Sequence, residues 1–579
     1  MTSGYIESYG YFSVAEGWLL CGWVAQKWTE GQVPSQVVAS FENGNVDGET
    51  LAIPYRRHDV PTDAEGVIFF IHNRVASLGR LRSLTFSIND TETTLFPTDL
   101  VVHLREVELL ARLRTLATDA KLDGRPAEEL LGLVARKPYG GEDTLAALSV
   151  SVFLAVDEAI LCGSGGLALM GWLLAKPGDV RSIRVRSGSH SSSLDIDDCI
   201  RVNRPDVLAA FPKYGFDDPR CGFLAFLPKA VTPNQRIYIE IETCKRELGY
   251  YTLPPPKLTG MAAIKRLLEA IDLRFADVPR VYDRVLGPAL QELNRSRLSV
   301  RPKFTCIDHG SVPESPKFSV IVPLYGRIDF VEYQMALFSA HQQFANVEII
   351  YVLDDPPKRP EAEQLFTSVY ERFLVPFRAL LLDRNVGFAP ANNIGLDHAH
   401  GKYVAFLNSD VFPGTLDWLE QLSHQLEIDP TLGVIGPLLL YEDGSVQHRG
   451  MYFERLPAFG NWFFSQHYDK AMRYSGGDDI QYCVSITGAC MVLTRELAVS
   501  LGGFDEVYAI GDFEDSDLCL KLRAMGLRCA VYPRVKLLHL ERKSQAKAGS
   551  GWRMNLTLYN AWCHEQRWHE TIVALPLSS

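Results

Sequence analysis

The sequence predicts a multidomain chain: two tandem β-sandwich-like modules with helical linkers, then an α/β domain built on a mostly parallel sheet. Three observations carry this expectation. The first half repeats itself as short alternating strands, and the second half holds apolar runs that each stop abruptly at polar residues. The chain is also 579 residues long, more than one hydrophobic core spans.

The expected boundaries are a first module over 1–98, a helical linker over 99–145, a second module over 146–253, a second linker over 254–303, and the α/β domain with a helical tail over 304–579. Residues Gly17–Lys27 (GWLLCGWVAQK) match Gly166–Lys176 (GLALMGWLLAK) in their Gly-Trp pair and final lysine. Arg57-His58-Asp59-Val60 resembles Arg204-Pro205-Asp206-Val207, and Gly66–Ile71 (GVIFFI) answers Gly222–Leu227 (GFLAFL). Each copy closes on a strand of period two: Leu84, Phe86 and Ile88 in the first, Ile237, Ile239 and Ile241 in the second. Their polar neighbours, among them Glu240 and Glu242, predict a half-solvated sheet. Trp23 and Trp172 lie inside apolar strands and are read as core, against the alternative that they stack on a sugar ring. After the first module, Leu100, Leu104, Val107 and Ala111 recur at helical spacing. After the second, Pro254-Pro255-Pro256 leads into Ile264, Leu267, Leu268 and Ile271. Assembly or spacing is the expected task of the modules, including association of copies of the chain.

In the second half, Phe318–Pro323 ends in proline, Val347–Leu353 ends in Asp354-Asp355, and Arg378–Leu382 ends in Asp383-Arg384-Asn385. A fourth run, Tyr403–Leu407, ends in Asn408-Ser409-Asp410. The intervals hold helices, such as Ala391–His400, so the strands run parallel with right-handed crossovers. The polar strand ends then share one edge, where such sheets bind ligands.

Composition narrows the function. The chain is 47% hydrophobic and 22% charged, the profile of a globular protein. A net charge of −12 argues against a nucleic-acid partner. No apolar run approaches the ~18 residues of a membrane span, and Cys21-Gly22 interrupts Trp18–Ala25. The start, MTSGYIESYG, lacks the features of a signal peptide, and the 11 cysteines form no C-x-x-C pair. Reduced thiols in a cytoplasmic protein are expected, with Cys21, Cys490 and Cys519 as core filling.

Six stretches of the second half, in order, resemble the family 2 glycosyltransferases, inverting enzymes with the GT-A fold. They are Ser319–Arg327 (SVIVPLYGR), Val352–Asp355 (VLDD), Asn385–Leu396 (NVGFAPANNIGL), Asn408–Asp410 (NSD), Gly488–Glu506 and Phe513–Gly526 (FEDSDLCLKLRAMG). The resemblance covers residues 316 to about 545, roughly two fifths of the chain. It implies a nucleotide-sugar site made by Pro323, Tyr325, Arg327, Asp354 or Asp355, Asn385, Gly387, Asn392, Asn408 and Ser409, with Asn393 nearby or simply a helix-start residue. Asn408 departs from the family's aspartate-any-aspartate motif, leaving one carboxylate there. Asp410, with His539 of Leu537–Ser544, is the implied ligand pair for Mn²⁺ or Mg²⁺. Asp515 is the implied base and Glu514 its alternative; Asp517 at the same helix start favours the helix dipole. Thr487, Gly488, Gly503, Phe504 and Asp505 form the implied acceptor-side wall.

The implied reaction moves a sugar from a UDP- or dTDP-sugar to a saccharide or lipid-linked glycan acceptor in surface or exopolysaccharide synthesis. The alternatives are a protein or small-molecule glycosyltransferase on the same fold, and a non-catalytic glycan-binding or assembly protein. The aromatic segment Tyr452–Tyr474 is expected to line a saccharide groove, form a lid or pack in the core. The tail over 551–573 is expected to pack on the catalytic domain, with peripheral contact at the inner membrane face as the alternative.

Overall fold

The computed structural model describes residues 4–28, 34–119, 125–232, 234–272, 277–340, 344, 346–415, 417–540 and 552–575. It divides into two compact units, one of residues 1–159 with 169–256, the other of residues 257–579 with 160–168.

In the first unit, the strands between Gly4 and His103 form one continuous eight-stranded sheet, not two separate ones. The long strand Thr91–His103 joins its halves. It pairs antiparallel with Leu81–Ile88 through Thr91–Leu95, then parallel with Gly4–Phe12 from Phe96 onward. Pro97, which cannot donate to a ladder, falls at this change of partner. Leu20 and Phe69 on one half share a buried cluster with Ala39, Leu84 and Phe86 on the other, so the sheet closes over its own interior. The opposite face is covered by helices Glu106–Asp119 and Arg125–Ala135 through Leu109, Leu113, Leu130 and Leu133.

That helix begins later than its spacing suggests. Leu100 belongs to the strand and is 86% exposed, and Val107 is also exposed. Pairing with Gly4–Phe12 decides the conformation of residues 96–103, and Leu109 and Leu113 form the helix's buried face instead.

The second module contains two four-stranded sheets. Ile237, Ile239 and Ile241 are buried, as their alternation predicts, but Glu240 and Glu242 do not face solvent. Glu242 is bonded by Arg136 at 2.7 Å and Arg246 at 3.0 Å, and Glu240 by Arg186 at 2.9 Å. These guanidiniums compensate the lost hydration of the carboxylates. Trp23 and Trp172 also differ from expectation, being half-buried rather than core: Trp23 meets Tyr5 edge-on, and Trp172 packs with Phe211. The repeat persists in space. Arg57 bonds Asp59 and Glu7, and Arg204 bonds Asp206 and Asp157 in the same way.

The second unit starts with the helices Gly260–Leu268 and Val278–Leu298, the latter interrupted by a π-turn at Tyr282–Leu286. Leu267, Leu268, Tyr282, Leu286 and Leu290 are buried, so these helices are part of the unit. The Tyr282 hydroxyl donates to the Asn555 carbonyl at 2.6 Å, and the Asn555 amide donates to the Leu268 carbonyl at 2.7 Å. These bonds tie the opening helices to the C-terminal helix Trp552–Val573.

At the centre of the main sheet, Phe318–Leu324 lies parallel between Val347–Leu353 and Tyr403–Leu407, and Phe377–Leu382 continues the parallel set. Cys490–Thr494 runs antiparallel against Tyr403–Leu407. All seven residues of Val347–Leu353 are buried, including Glu348. Its carboxylate accepts from the Ser319 hydroxyl at 2.5 Å and the His400 amide at 2.8 Å, with Arg378 at 3.4 Å. Replacing it leaves the buried Ser319 hydroxyl without that acceptor and removes the partner of the His400 amide. Glu348→Ala is expected to cost about 2–4 kcal/mol, read as a lower urea midpoint; a loss below ~0.5 kcal/mol would show that the network contributes little.

Candidate active site

The parallel strands bring the polar ends together as the alternation of strands and helices predicts. After Leu324, the Tyr325 ring is 56% exposed at the open edge, with half-buried Pro323 behind it. Arg327 lies over the Phe330 ring at 4.1 Å and is paired with Asp329. The two aspartates after Leu353 part company. Asp354 is buried and accepts from the Val386 amide at 2.6 Å, the Gly387 amide at 2.7 Å and the Asn385 side chain at 2.8 Å. Burial pushes its carboxyl up to about 7, against the pull of those donors. Its task here is to hold the 385–387 turn. Asp355 stays half-buried and accepts from the Gly326 amide at 3.0 Å, which leaves it the aspartate available to a ligand.

Gly387 has φ +96°, and a Cβ there would stand 3.0 Å from the backbone of Ile510, so the helix Phe388–Asp397 starts in close contact with the loop over residues 509–513. Asn392 is buried inside this helix and donates to the Phe388 carbonyl at 3.0 Å. Asn393 bonds the Phe504 carbonyl and amide, both at 2.9 Å.

Asn408 follows Leu407, which is registered opposite Cys490, and its amide donates to the Ala489 carbonyl at 2.9 Å. The Asn408 backbone carbonyl accepts from Gln334 at 3.0 Å. Its side-chain Oδ1 is buried without a partner among the described residues. Ser409 is buried beside it.

The next turn brings Asp410 and His539, the expected ligand pair, together. Val411 pairs with His539, and the Leu540 amide donates to the Asp410 carbonyl at 3.1 Å. This sets His539 Nε2 3.4 Å from Asp410 Oδ1, both side chains being buried. The separation is long for a hydrogen bond and suits two ligands of one cation. His539 Nδ1 has no partner among the described residues. Among the described residues no group of three or more His, Cys, Asp or Glu could hold a metal. Residues 541–544 of the Leu537–Ser544 stretch lie outside the described residues.

Glu514 and Asp515 open the helix Glu514–Ala524. Asp515 Oδ2 accepts from the Gly488 amide at 2.9 Å and Oδ1 from the Ser516 amide at 2.7 Å. Asp515 remains partly accessible, while Glu514 is buried with Oε2 unpartnered among the described residues. Burial, reinforced by the negative charges of Asp515 and Asp512, holds the Glu514 carboxyl well above the usual range. Burial raises Asp515 too, opposed by its two amide donors. The Thr487 and Gly450 amides both point at Nε2 of His448, at 3.3 Å, and burial holds that imidazole neutral.

Three expected acceptor-side residues play other parts. Phe504 is 1% exposed, in the core against Phe406. Gly503 has φ +68°, and a Cβ would strike Asn393 at 2.2 Å. Asp505 is paired with Lys521 at 3.4 Å and with Arg567. Gly488 meets Asp515 through its amide, while the Thr487 hydroxyl accepts from the Ala489 amide at 3.4 Å.

A support that sequence reading missed lies in the C-terminal helix. Ile510, Asp512 and Phe513 all have positive φ (66°, 102° and 77°), a strained run costing on the order of 1–3 kcal/mol per residue. Asn560, wholly buried, accepts from the Ala509 amide at 2.9 Å and donates to the carbonyls of Ala509 (3.1 Å) and Gly511 (2.9 Å). Thr557 donates to Asp512 at 2.8 Å, and the Phe388 amide donates to the Ile510 carbonyl at 2.7 Å. Asp517, wholly buried, accepts from Trp568 at 2.7 Å and Tyr508 at 3.1 Å. The aromatic segment joins in as the hairpin Met451–Leu456/Trp462–His467, with Phe464 edge-on to Phe513 and Phe453 and Phe463 packed at Trp568 and Ile572. The polar face of the tail, Asn560 above all, was the available signal.

A mostly parallel sheet with polar residues gathered at its strand ends is the architecture that these elements define. Residues 319–489 match the family model described as Glycosyl transferase family 2. The similarity to family 2 glycosyltransferases thus lies in this part of the chain. The O-antigen biosynthesis protein RfbC of Myxococcus xanthus is 29% identical over 252 residues, 43% of this chain and 19% of that protein. The amylovoran biosynthesis glycosyltransferase AmsE of Erwinia amylovora is 23% identical over 235 residues, 41% of this chain and 80% of that protein. The chain thus spans about a fifth of the first of these relatives. GalNAc-T7 solved with UDP, GalNAc and Mn²⁺ overlays with a TM-score of 0.35 at 15% identity, covering 44% of this chain and 50% of that one.

Asn560→Ala is expected to lower kcat for sugar transfer at least about tenfold with the donor KM within about twofold, because it frees the 509–513 loop that precedes Glu514 and Asp515 without touching the strand ends. Steady-state kinetics check this; a rise in KM at constant kcat would contradict it.

Proposed function

We propose that this chain is an inverting, divalent-metal-dependent transferase that moves a sugar from a UDP- or dTDP-sugar to a glycan acceptor in surface or exopolysaccharide synthesis. The observation that carries the reading is the partly accessible Asp515, fixed by the Gly488 amide one register step from Asn408. The names of RfbC and AmsE, an O-antigen and an amylovoran biosynthesis protein, support the polysaccharide context.

In this reading Tyr325 and Asp355 take the nucleoside, and the unpartnered Asn408 Oδ1 accepts from a ribose hydroxyl. The Asp515 carboxylate removes the proton from the acceptor hydroxyl as that oxygen attacks the anomeric carbon from the face opposite the diphosphate. The bond from that carbon to the diphosphate oxygen breaks, its electron pair leaving with the nucleotide. A Mn²⁺ or Mg²⁺ held by Asp410 and His539 would offset the charge that develops on the diphosphate. Glu514, buried and favouring its neutral form, keeps a second negative charge away from Asp515.

The N-terminal repeats are read as sandwich-like modules that serve acceptor choice or association of copies. No helix among the described residues is long and apolar enough to cross a membrane. Trp562 and Trp568 of the tail are buried, which favours packing over membrane contact. Work at the cytoplasmic face on a saccharide or lipid-linked glycan fits these features.

The test is nucleotide release and sugar transfer with a panel of nucleotide sugars, acceptors and Mn²⁺. Asp515→Asn is expected to lower kcat about 10²- to 10⁴-fold, and His539→Ala to raise the Mn²⁺ needed for half-activity about tenfold. The base works deprotonated and its folded pKa is raised, so activity is full above that pKa and lost as pH falls through it. The acid limb of kcat/KM is expected above the ordinary carboxylate value of about 4, as an apparent value of the Glu514–Asp515 pair. Undiminished turnover in Asp515→Asn would overturn the base assignment.

A further inference from the structure

A cleft of about 510 Å³ lies between the two β modules of the first unit, and all its lining residues belong to that unit. Its floor is one face of the second module's sheet, carrying Arg184, Arg186, Tyr238 and Glu240. Arg184 is registered opposite Glu240, and Arg186 opposite Tyr238. A face that served only to pack one module on the other would be more stable if apolar, since a buried ion pair seldom outweighs well-packed hydrophobic side chains. This face is charged and aromatic along its length.

Part of the charge is used internally. Glu49 and Glu242 hold Arg246 at 2.6 and 3.0 Å, and Glu242 holds Arg136. The other end of the cleft keeps spare capacity. Arg184 comes no closer than 3.7 Å to Glu240, and its side chain is 32% exposed. Arg186 gives one N–H to Glu240 at 2.9 Å, while its Nε is buried without an acceptor among the described residues. Beside them the rings of Tyr139 and Tyr238 stack at 3.9 Å.

An aromatic face, two guanidiniums with donors to spare and one carboxylate form the set that recognises a pyranose. The C–H face of the sugar packs on the ring, and vicinal hydroxyls both accept from arginine and donate to glutamate. Arg184, whose ion pair with Glu240 at 3.7 Å is longer than a hydrogen bond, also suits an acidic substituent on that sugar. We infer that this cleft is a non-catalytic saccharide site, taking a uronic-acid-containing segment of a glycan. Its ligand class rests on the proposed transfer to a glycan, but binding is measured without turnover, so failure of one reading leaves the other standing.

The test titrates the full chain with a uronic-acid tetrasaccharide and with its methyl-esterified form, followed by calorimetry. The acidic form is expected to bind, the ester more weakly, and Tyr238→Ala and Arg184→Ala are each expected to weaken binding at least about tenfold. Arg184→Ala, at a part-exposed position, guards against a loss caused by unfolding, and circular dichroism checks both variants. Asp515→Asn is expected to bind as the wild type does. No binding of either form up to about 10 mM, binding unchanged in both cleft variants, or binding lost in Asp515→Asn would each overturn the inference.

Discussion

The proposed chemistry depends on one register: Leu407 opposite Cys490, which puts the Asn408 amide on the Ala489 carbonyl. One residue before Ala489, the Gly488 amide holds Asp515. A single antiparallel pairing thus couples the end of a parallel strand, where a donor would lie, to a helix start about a hundred residues later. A slip of one residue would turn every side chain of Cys490–Thr494 to the opposite face and carry the Gly488 amide away from the carboxylate. The buried cores on both sides of the sheet make such a slip costly, because Met491 and Leu493 pack on one side and Cys490 and Val492 on the other.

Around that register the domain supports a strained loop from two directions. Gly387 and Phe388 press on Ile510 from the donor side, while Asn560 and Thr557 bind Ala509, Gly511 and Asp512 from the C-terminal helix. Left-handed Ile510, Asp512 and Phe513 would relax without those bonds. The helix before the sheet contributes too. Arg297 donates to the Asn385 and Val386 carbonyls, at 3.3 and 3.0 Å, and Asn294 to the Glu506 carbonyl at 2.8 Å. Helices that read as linkers therefore brace both loops that flank the proposed donor site.

Much of the catalytic sheet was legible because its signals are local. Val347–Leu353 is apolar throughout, as burial on both faces requires, and the polar residues after each strand mark the edge. Pairings that depend on partners distant in sequence were not legible. Asp354 and Asp355 look alike in sequence, yet three donors from residues 385–387 occupy the first and leave the second half-buried. Phe504 and Asp505 follow a glycine pair that reads as a loop, but the fold places one in the core and pairs the other with Lys521 and Arg567. Glu240 and Glu242 alternate with isoleucines as a solvated face would, and their burial is made tolerable by Arg186 and Arg136, remote in the chain, together with the nearer Arg246.

Gly488→Ala tests the central dependence most directly, since a Cβ there would meet the Asp515 Cβ at 3.3 Å and the Phe388 ring at 3.6 Å. The measurement is the single-turnover rate of sugar transfer, with nucleotide affinity determined in parallel. Displacement of the base by a few tenths of an ångström is expected to slow transfer about ten- to a hundredfold while nucleotide affinity stays within about twofold. Transfer at the wild-type rate, or a loss of nucleotide affinity in place of rate, would contradict the account.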